Sequence, residues 1–235
     1  SSVIKNNLIE TTTLTEDKIK IIFNGVDLEK FNPENADRNK LRKELNIAEN
    51  EILIGMTGRF SRGKGHEEFL FAANQLSKKF SYLKFVFVGE ASHGEDEYAN
   101  SVKQLALNYQ LKNVYFTGFR SDIPYVLAAM DIFVFPSHSE SFGIALIEAM
   151  AMFKPSVCSN SEGVLDIAVD NETSYLFKVK DGNDLAKNLG QLILDPEKRK
   201  TFGNNARKRV TEFFNLEKVT DQIINVYSKL IEDRG

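Results

Sequence analysis

The chain has very little cysteine: Cys158 is the only one in 235 residues. A lone cysteine excludes an intrachain disulfide and fits a reducing compartment. Cys158 sits in the apolar run Ser156–Cys158, which marks it as a packed strand residue rather than a nucleophile. No apolar stretch is long enough to span a bilayer, so no transmembrane segment is expected. Nothing at the start has the plan of a signal peptide, and the chain opens as if cut from something longer. Internal repeats and low-complexity segments are missing too. A strong excess of one charge sign is lacking: the net charge is −3 and the isoelectric point is near 5.8. That balance argues against a general nucleic-acid or membrane-surface binder. With 3 histidines in all, no His/Cys/Asp spacing suggests a metal site. These absences point to a cytoplasmic protein without a bound metal or other cofactor.

What is present is a globular composition. Hydrophobic residues make up 42% of the chain, enough at this length to bury a sizeable core. Apolar runs of strand length alternate with longer helical patterns. Ile52–Gly58, Leu83–Gly89, Val114–Gly118, Asp131–Pro136, Pro155–Ser159 and Tyr175–Val179 read as strands. His66–Phe80, Asp96–Tyr109, Asp122–Ala129, Phe142–Phe153 and Ser161–Val169 read as helices. Strands apolar on both faces, alternating with helices, imply a parallel sheet covered on both sides. The predicted fold class is therefore α/β, a Rossmann-like doubly wound parallel sheet. Ligands of such sheets bind at the carboxyl ends of the strands. The tail reads as three helices: Asp184–Leu194, Pro196–Phe214 and Leu216–Ile231, with Arg207-Lys-Arg209 as a solvated basic face. At the start, a helix runs to about Glu10 and Lys18–Phe23 reads as a strand.

Two glutamates eight positions apart, Glu140 and Glu148, carry the most information. From Ile144 to Phe153 every residue except Glu148 is apolar. A helix hydrophobic all round is buried, and a carboxylate on it stays ionised only when something pairs or hydrogen-bonds with it. Its partner is either a neighbouring backbone group or a bound polar ligand. Glu140 lies in the loop after the strand Asp131–Pro136, and Phe142 and Gly143 are read as opening the helix, with their amides free. Two carboxylates beside a cluster of amide donors suit a polyol such as a sugar.

A second cluster is basic. Gly58-Arg-Phe-Ser-Arg-Gly-Lys-Gly65 joins a strand to a helix and concentrates Arg59, Arg62 and Lys64 in an otherwise acidic chain. Glycines permit close backbone approach, and the helix start at His66 supplies free amides. Phosphate is the natural ligand for that chemistry. The string also satisfies most of a Walker A loop. Gly65, however, stands where a P-loop needs Ser or Thr, and no Walker B carboxylate follows, because Asp131 starts its strand.

Glu140-x7-Glu148 resembles the Glu-x7-Glu motif of retaining glycosyltransferases with the GT-B fold, family 4. Asn24-Gly-Val-Asp27 followed by Phe31-Asn-Pro33 resembles the interdomain linker of that family. Gly58-Arg59 with Lys64-Gly65 resembles its diphosphate-binding loop, and Phe116-Thr-Gly118 the strand end near the nucleotide base. The likeness runs from about residue 24 to 235 and is to the donor-binding, C-terminal half alone. It implies that Arg59 and Lys64 hold the donor diphosphate, Glu140 the sugar and Glu148 the ribose. It further implies that the backbone of Phe142, Gly143 and Ile144 binds sugar hydroxyls or phosphate, and that the base sits near Gly118–Arg120, with Gly118 and Arg120 as donor-binding residues. By resemblance, residues 1–23 are a stump of a missing N-terminal, acceptor-binding domain, 24–215 the nucleotide-sugar-binding domain and 216–235 a C-terminal helix.

The expected activity is sugar transfer from a nucleotide diphosphate sugar, with Glu140, Arg59 and Lys64 as the catalytic set. The chain alone is expected to be an incomplete, inactive fragment. A non-catalytic nucleotide-sugar-binding module or partner subunit is the alternative. No Asp-x-Asp is present, so the metal-dependent GT-A reading fails. Departures from the family pattern include Phe153 in place of a usual glycine, Asn160-Ser-Glu162-Gly163 in place of a Gly-Gly pair, Asp166 for a glutamate, and Glu90 after Val88-Gly89.

Overall fold

The structure is a computed structural model that describes residues 1–232. The sheet comprises β1 (Ile52–Thr57), β2 (Leu83–Val88), β3 (Val114–Phe116), β4 (Ile132–Phe135), β5 (Ser156–Ser159) and β6 (Ser174–Phe177). All neighbouring pairs are parallel, in the order β3-β2-β1-β4-β5-β6. The helices are α1 (Ser2–Thr11), α2 (Asn39–Glu44), α3 (His66–Ser77), α4 (Asp96–Asn108), α5 (Ile123–Ala129), α6 (Ile144–Ala151), α7 (Glu162–Leu165), α8 (Gly182–Leu194), α9 (Pro196–Phe213) and α10 (Leu216–Glu232).

The strands are Val-, Ile- and Phe-rich because both faces are buried. On one face α3, α4 and α8 cover Ile54, Phe85, Phe87 and Val157. On the other, α5, α6 and part of α9 cover Leu53, Val86, Phe133 and Cys158. The chain order reverses between β1 and β4, and a crevice opens at the strand ends where such a reversal occurs. The β1–α3 and β4–α6 loops border that crevice.

A buried ionic brace sets the other end of the same two strands. Arg42, 2% exposed, donates to the carbonyls of Ala48, Glu51 and Ala129 and to the Asp131 carboxylate. Asp131 Oδ2 in turn accepts from Leu53 N at 2.8 Å. Asp131 thus ties the start of β4 to β1 and lies away from the crevice.

Four local readings change. α6 begins at Ile144, not Phe142, because Gly143 is its N-cap at φ 118° and breaks the helical path there. Lys18–Phe23 forms no strand: a 3-10 turn covers Glu16–Lys18 and the rest is extended and unpaired. The helix read over Ser161–Val169 is only one turn, α7. Arg207 and Arg209 are not a solvated face. Arg207 donates to the carbonyls of Phe31 (3.0 Å) and Ala151 (2.6 Å), and Arg209 to those of Ile167 and Asp166, so they clamp α9 to the sheet unit. Phe153, standing where the family favours glycine, takes a left-handed backbone at φ 57°. The N-terminal segment touches the sheet unit through Ser2 N, which donates to Asp166 Oδ2 at 2.8 Å, and through Phe23, stacked on Phe142.

Candidate functional site

β1 and β4 each end in a loop that must turn sharply back into a helix, and glycines make both turns possible. Gly65 has φ 77°, and a β-carbon there would collide with the carbonyl of Pro136. Only glycine lets the basic loop lie flat on the β4–α6 loop. His138 N donates to Gly63 O at 2.8 Å and adds a second stitch. His138 Nε2 lies 2.9 Å from Glu68 Oε1 on α3, so this histidine braces the loop from behind.

The stitching brings Lys64 and Glu140 together: Lys64 Nζ donates to Glu140 Oε2 at 2.8 Å, and both are partly buried. They line a cavity of about 440 Å³ with Arg59, Ser137, Phe142, Gly143 and Ile144. Arg59 is exposed and, among the described residues, has no carboxylate partner. Arg62 turns away, its guanidinium 5.7 Å from the Tyr98 ring centre. Behind the loop, His66 stacks on Phe60 at 4.3 Å, and burial, then the charge of Lys64, pushes its pKa down to about 4. A neutral imidazole adds no charge to the site.

Glu148 occupies a second cavity of about 240 Å³, lined also by Thr57, Arg59, Val88, Phe119, Arg120 and Ala145. Among the described residues no hydrogen bond or ion pair reaches the Glu148 carboxylate. Met152 N bonds the backbone carbonyl of Glu148 instead, so the neighbouring-backbone partner left open by the sequence is not there. Burial pushes its pKa up to about 7, with Lys30 opposing weakly. A carboxylate in that state is receptive to hydroxyl donors. The two cavities share Thr57, Gly58, Arg59 and Ala145, so one elongated ligand can occupy both.

The sequence-predicted residues divide by how they reach this space. Arg59, Lys64, Glu140 and Glu148 present side chains to it, and Ile144 lies exposed at the start of α6. Phe142 presents backbone alone, because its ring is buried between Phe23 and Phe214. The first amides of α6 have no intrahelical acceptor, and Gly143 offers no side-chain cap to occupy them. Arg120 borders the second cavity with its guanidinium committed elsewhere, to Asp122 (2.9 and 3.0 Å) and Glu44 (2.7 Å). That pairing holds the Asp122 carboxyl well below the usual range. Gly118, at φ 73°, turns the chain behind Phe119.

Two residues that sequence reasoning did not assign stand out. Phe119 is 70% exposed at the rim of the second cavity and offers an aromatic face. Thr57 lies between the two cavities. An aromatic beside the Gly118 turn was the one available signal for Phe119, and Thr57 had none. A further cavity, about 560 Å³, is an open groove between α3, α4 and the loop before α8, and it gathers none of the motif residues. Among the described residues no group of three His, Cys, Asp or Glu is disposed to hold a metal ion. No described helix is long and apolar enough to cross a membrane.

Comparison with known proteins returns one family and a consistent set of relatives. The family model described as "Glycosyl transferases group 1" matches residues 37–209. The chain is similar to the Staphylococcus aureus capsular polysaccharide biosynthesis glycosyltransferase CapM, with 28% identity over 99% of this chain and 61% of that one. It is 32% identical to the N,N'-diacetylbacillosaminyl-diphospho-undecaprenol alpha-1,3-N-acetylgalactosaminyltransferase of Campylobacter jejuni, over 94% of this chain and 57% of the relative. Among solved structures, Anabaena HepE in complex with UDP and glucose superposes with a TM-score of 0.89 at 28% identity, covering 97% of this chain and 61% of HepE. A glycosyltransferase from Rickettsia africae superposes with a TM-score of 0.92 at 26% identity, over 98% of this chain and 62% of that one. The chain therefore spans about three-fifths of the length of the curated relatives it matches.

Proposed function

The chain belongs to the glycosyl transferases group 1 family and forms a Rossmann-like half of the GT-B fold, and from that premise we propose that it is the donor-binding half of a retaining glycosyltransferase. The observation that carries this reading is the convergence of Arg59, Lys64, Glu140 and Glu148 on two adjoining cavities at the switch point of the sheet. The donor is a nucleoside diphosphate sugar. HepE, solved with UDP and with UDP-glucose, supports a uridine nucleotide as the first candidate.

Each residue then has a physical task. Arg59 and Lys64 neutralise the diphosphate and stabilise the charge that grows on it as the glycosidic bond breaks, the kind of electrostatic term that often dominates catalysis. The free amides at the start of α6 add to that field. Glu140 accepts hydroxyls of the sugar and orients it. Glu148 accepts the ribose hydroxyls inside the smaller cavity, and the base lies along Gly118–Arg120 against the exposed ring of Phe119. Nothing in this division of labour needs a covalent intermediate or a divalent cation. The acceptor is held from the other side of the crevice, which the proposal assigns to a second, N-terminal Rossmann-like domain of the whole enzyme. The proposal also keeps the domain division read from the sequence, with residues 24–215 as the nucleotide-sugar unit, and a cytoplasmic setting.

The test is calorimetric titration of the chain with UDP, UDP-glucose and GDP-linked sugars. Binding of at least one nucleotide sugar, lost in Arg59→Ala and Lys64→Ala, supports the reading. Failure of every nucleotide sugar to bind would sink it. Binding by this chain with no transfer once an acceptor-side domain is supplied would leave a nucleotide-sugar-binding module instead.

A further inference from the structure

A cavity of about 320 Å³ opens on the far side of Glu140, lined also by His138, Ser139, Asn160, Ser161 and Glu162. Glu140 borders both this outer cavity and the Lys64 cavity. The Glu148 cavity, the Lys64 cavity and the outer cavity therefore follow one another in a row. On the reading proposed above, that is the order ribose, diphosphate, sugar. A hexose hangs from the diphosphate by C1, so its opposite end, with C4 and C6, reaches the outer cavity. One wall of that cavity comes from Asn160-Ser-Glu162-Gly163, the segment that departs from the family pattern. Its place is fixed. Ser159 Oγ donates to Ser137 O and lies 3.2 Å from Ser161 Oγ, which pins the β5–α7 loop to the β4–α6 loop. A β-carbon on Gly163 would collide with the carbonyl of Glu140, so the start of α7 rests on the Glu140 backbone. The charges along this wall are unequal. Glu140 is answered by Lys64 at 2.8 Å, and His138 lies 2.9 Å from Glu68. Glu162 is exposed, and among the described residues no hydrogen bond or ion pair reaches its carboxylate. No lysine or arginine lines the outer cavity.

We propose that Glu162 is a specificity-determining residue that makes the sugar end of the donor site take uncharged hexoses and turn away hexuronic acids. This rests on the reading of the site as a nucleotide-sugar pocket and adds to it a substrate class. A hexuronic acid would bring a second carboxylate, on C6, into a walled space where like charges are screened less than in open water. A hydroxymethyl group in the same place carries no charge and can donate to a carboxylate. Selection of this kind works through an unfavourable contact with the wrong substrate. An acid at the first position of α7 also suits the helix dipole, but that role would not distinguish one sugar from another.

The experiment titrates UDP-glucose and UDP-glucuronate into the unsubstituted chain, Glu162→Gln and Glu162→Asp. The unsubstituted chain should bind UDP-glucose at least about tenfold more tightly than UDP-glucuronate. Glu162→Gln keeps the size and removes the charge. It should narrow that ratio about threefold or more, through tighter binding of UDP-glucuronate, the remainder belonging to Glu140. Glu162→Asp keeps the charge and should hold the ratio within about twofold of the unsubstituted chain. Equal affinity for the two sugars in the unsubstituted chain overturns the inference, as does an unchanged ratio in Glu162→Gln. So does the same narrowing in Glu162→Asp, which would trace the effect to shape. If the unsubstituted chain binds neither compound, the reading of the site as a uridine nucleotide-sugar pocket fails, and the inference with it. If it binds UDP-glucose and the ratio ignores Glu162, only the role of Glu162 fails.

Discussion

Lys64 Nζ and Glu140 Oε2 stand 2.8 Å apart although 76 positions separate them in the chain. On the proposed reading, the cation assigned to the phosphate is held here by the carboxylate assigned to the sugar. A diphosphate must therefore compete with Glu140 for Lys64, and this sets the first prediction. Glu140→Gln removes the competitor, so bare UDP should bind as well as before or up to about fivefold more tightly, the scale of a partly exposed ion pair. UDP-glucose should bind more weakly, since the sugar loses its acceptor. Lys64→Ala should weaken both by tenfold or more, in keeping with about 1.5–3 kcal/mol for a charge-assisted contact. Calorimetric titration of the four combinations decides it. Loss of UDP binding in Glu140→Gln would show that the two roles are wrongly divided.

Glu148 gives a pH dependence of stability. Its carboxyl has an ordinary value of 4.5 and is pushed up to about 7 in the folded protein. Below pH 4.5 both states are protonated, and the group costs the fold nothing. Between 4.5 and 7 the unfolded chain loses the proton while the folded one keeps it, so stability falls as pH rises, and above 7 the full penalty is present. Glu148→Gln should therefore raise Tm by several degrees at pH 8, relieving up to about 3 kcal/mol, and leave Tm nearly unchanged at pH 4. A Tm difference that is the same at both pH values would rule out burial as the cause.

Arg207 and Lys208 are neighbours in one basic run and should behave differently. Arg207→Ala strands the carbonyls of Phe31 and Ala151 and should cost about 1–3 kcal/mol. Lys208→Ala, on the exposed side of α9, should stay within about 0.5 kcal/mol of the parent. Urea denaturation curves of the two variants read this directly, and equal midpoints would contradict the clamp.

Nucleotide binding should be independent of divalent metal, since Arg59, Lys64 and the α6 amides supply the positive field. UDP affinity measured in excess chelator should equal that in magnesium or manganese. An affinity that collapses in chelator and returns with the metal would overturn this assignment of the phosphate site.

Much of this was legible in the chain itself. The alternation of Val-, Ile- and Phe-rich runs with helical patterns determined a doubly wound parallel sheet, because burial on both faces leaves a continuous apolar signature. The glycines and basic residues from Gly58 to Gly65, and the spacing of Glu140 and Glu148, singled out the strand ends that border the two cavities, because backbone turns and buried carboxylates restrict residue type locally. Tertiary structure alone decided the rest. It separated Glu140 and Glu148 into adjoining cavities, joined Lys64 to Glu140, committed Arg120 to Asp122 and Glu44, and turned Arg207 from a solvated charge into a clamp. The meeting of Lys64 with Glu140 depends on β1 lying beside β4, a pairing of residues about 78 positions apart (Leu53 with Asp131). Periodicity reports which face of an element is buried, but it carries no information on what lies across from it.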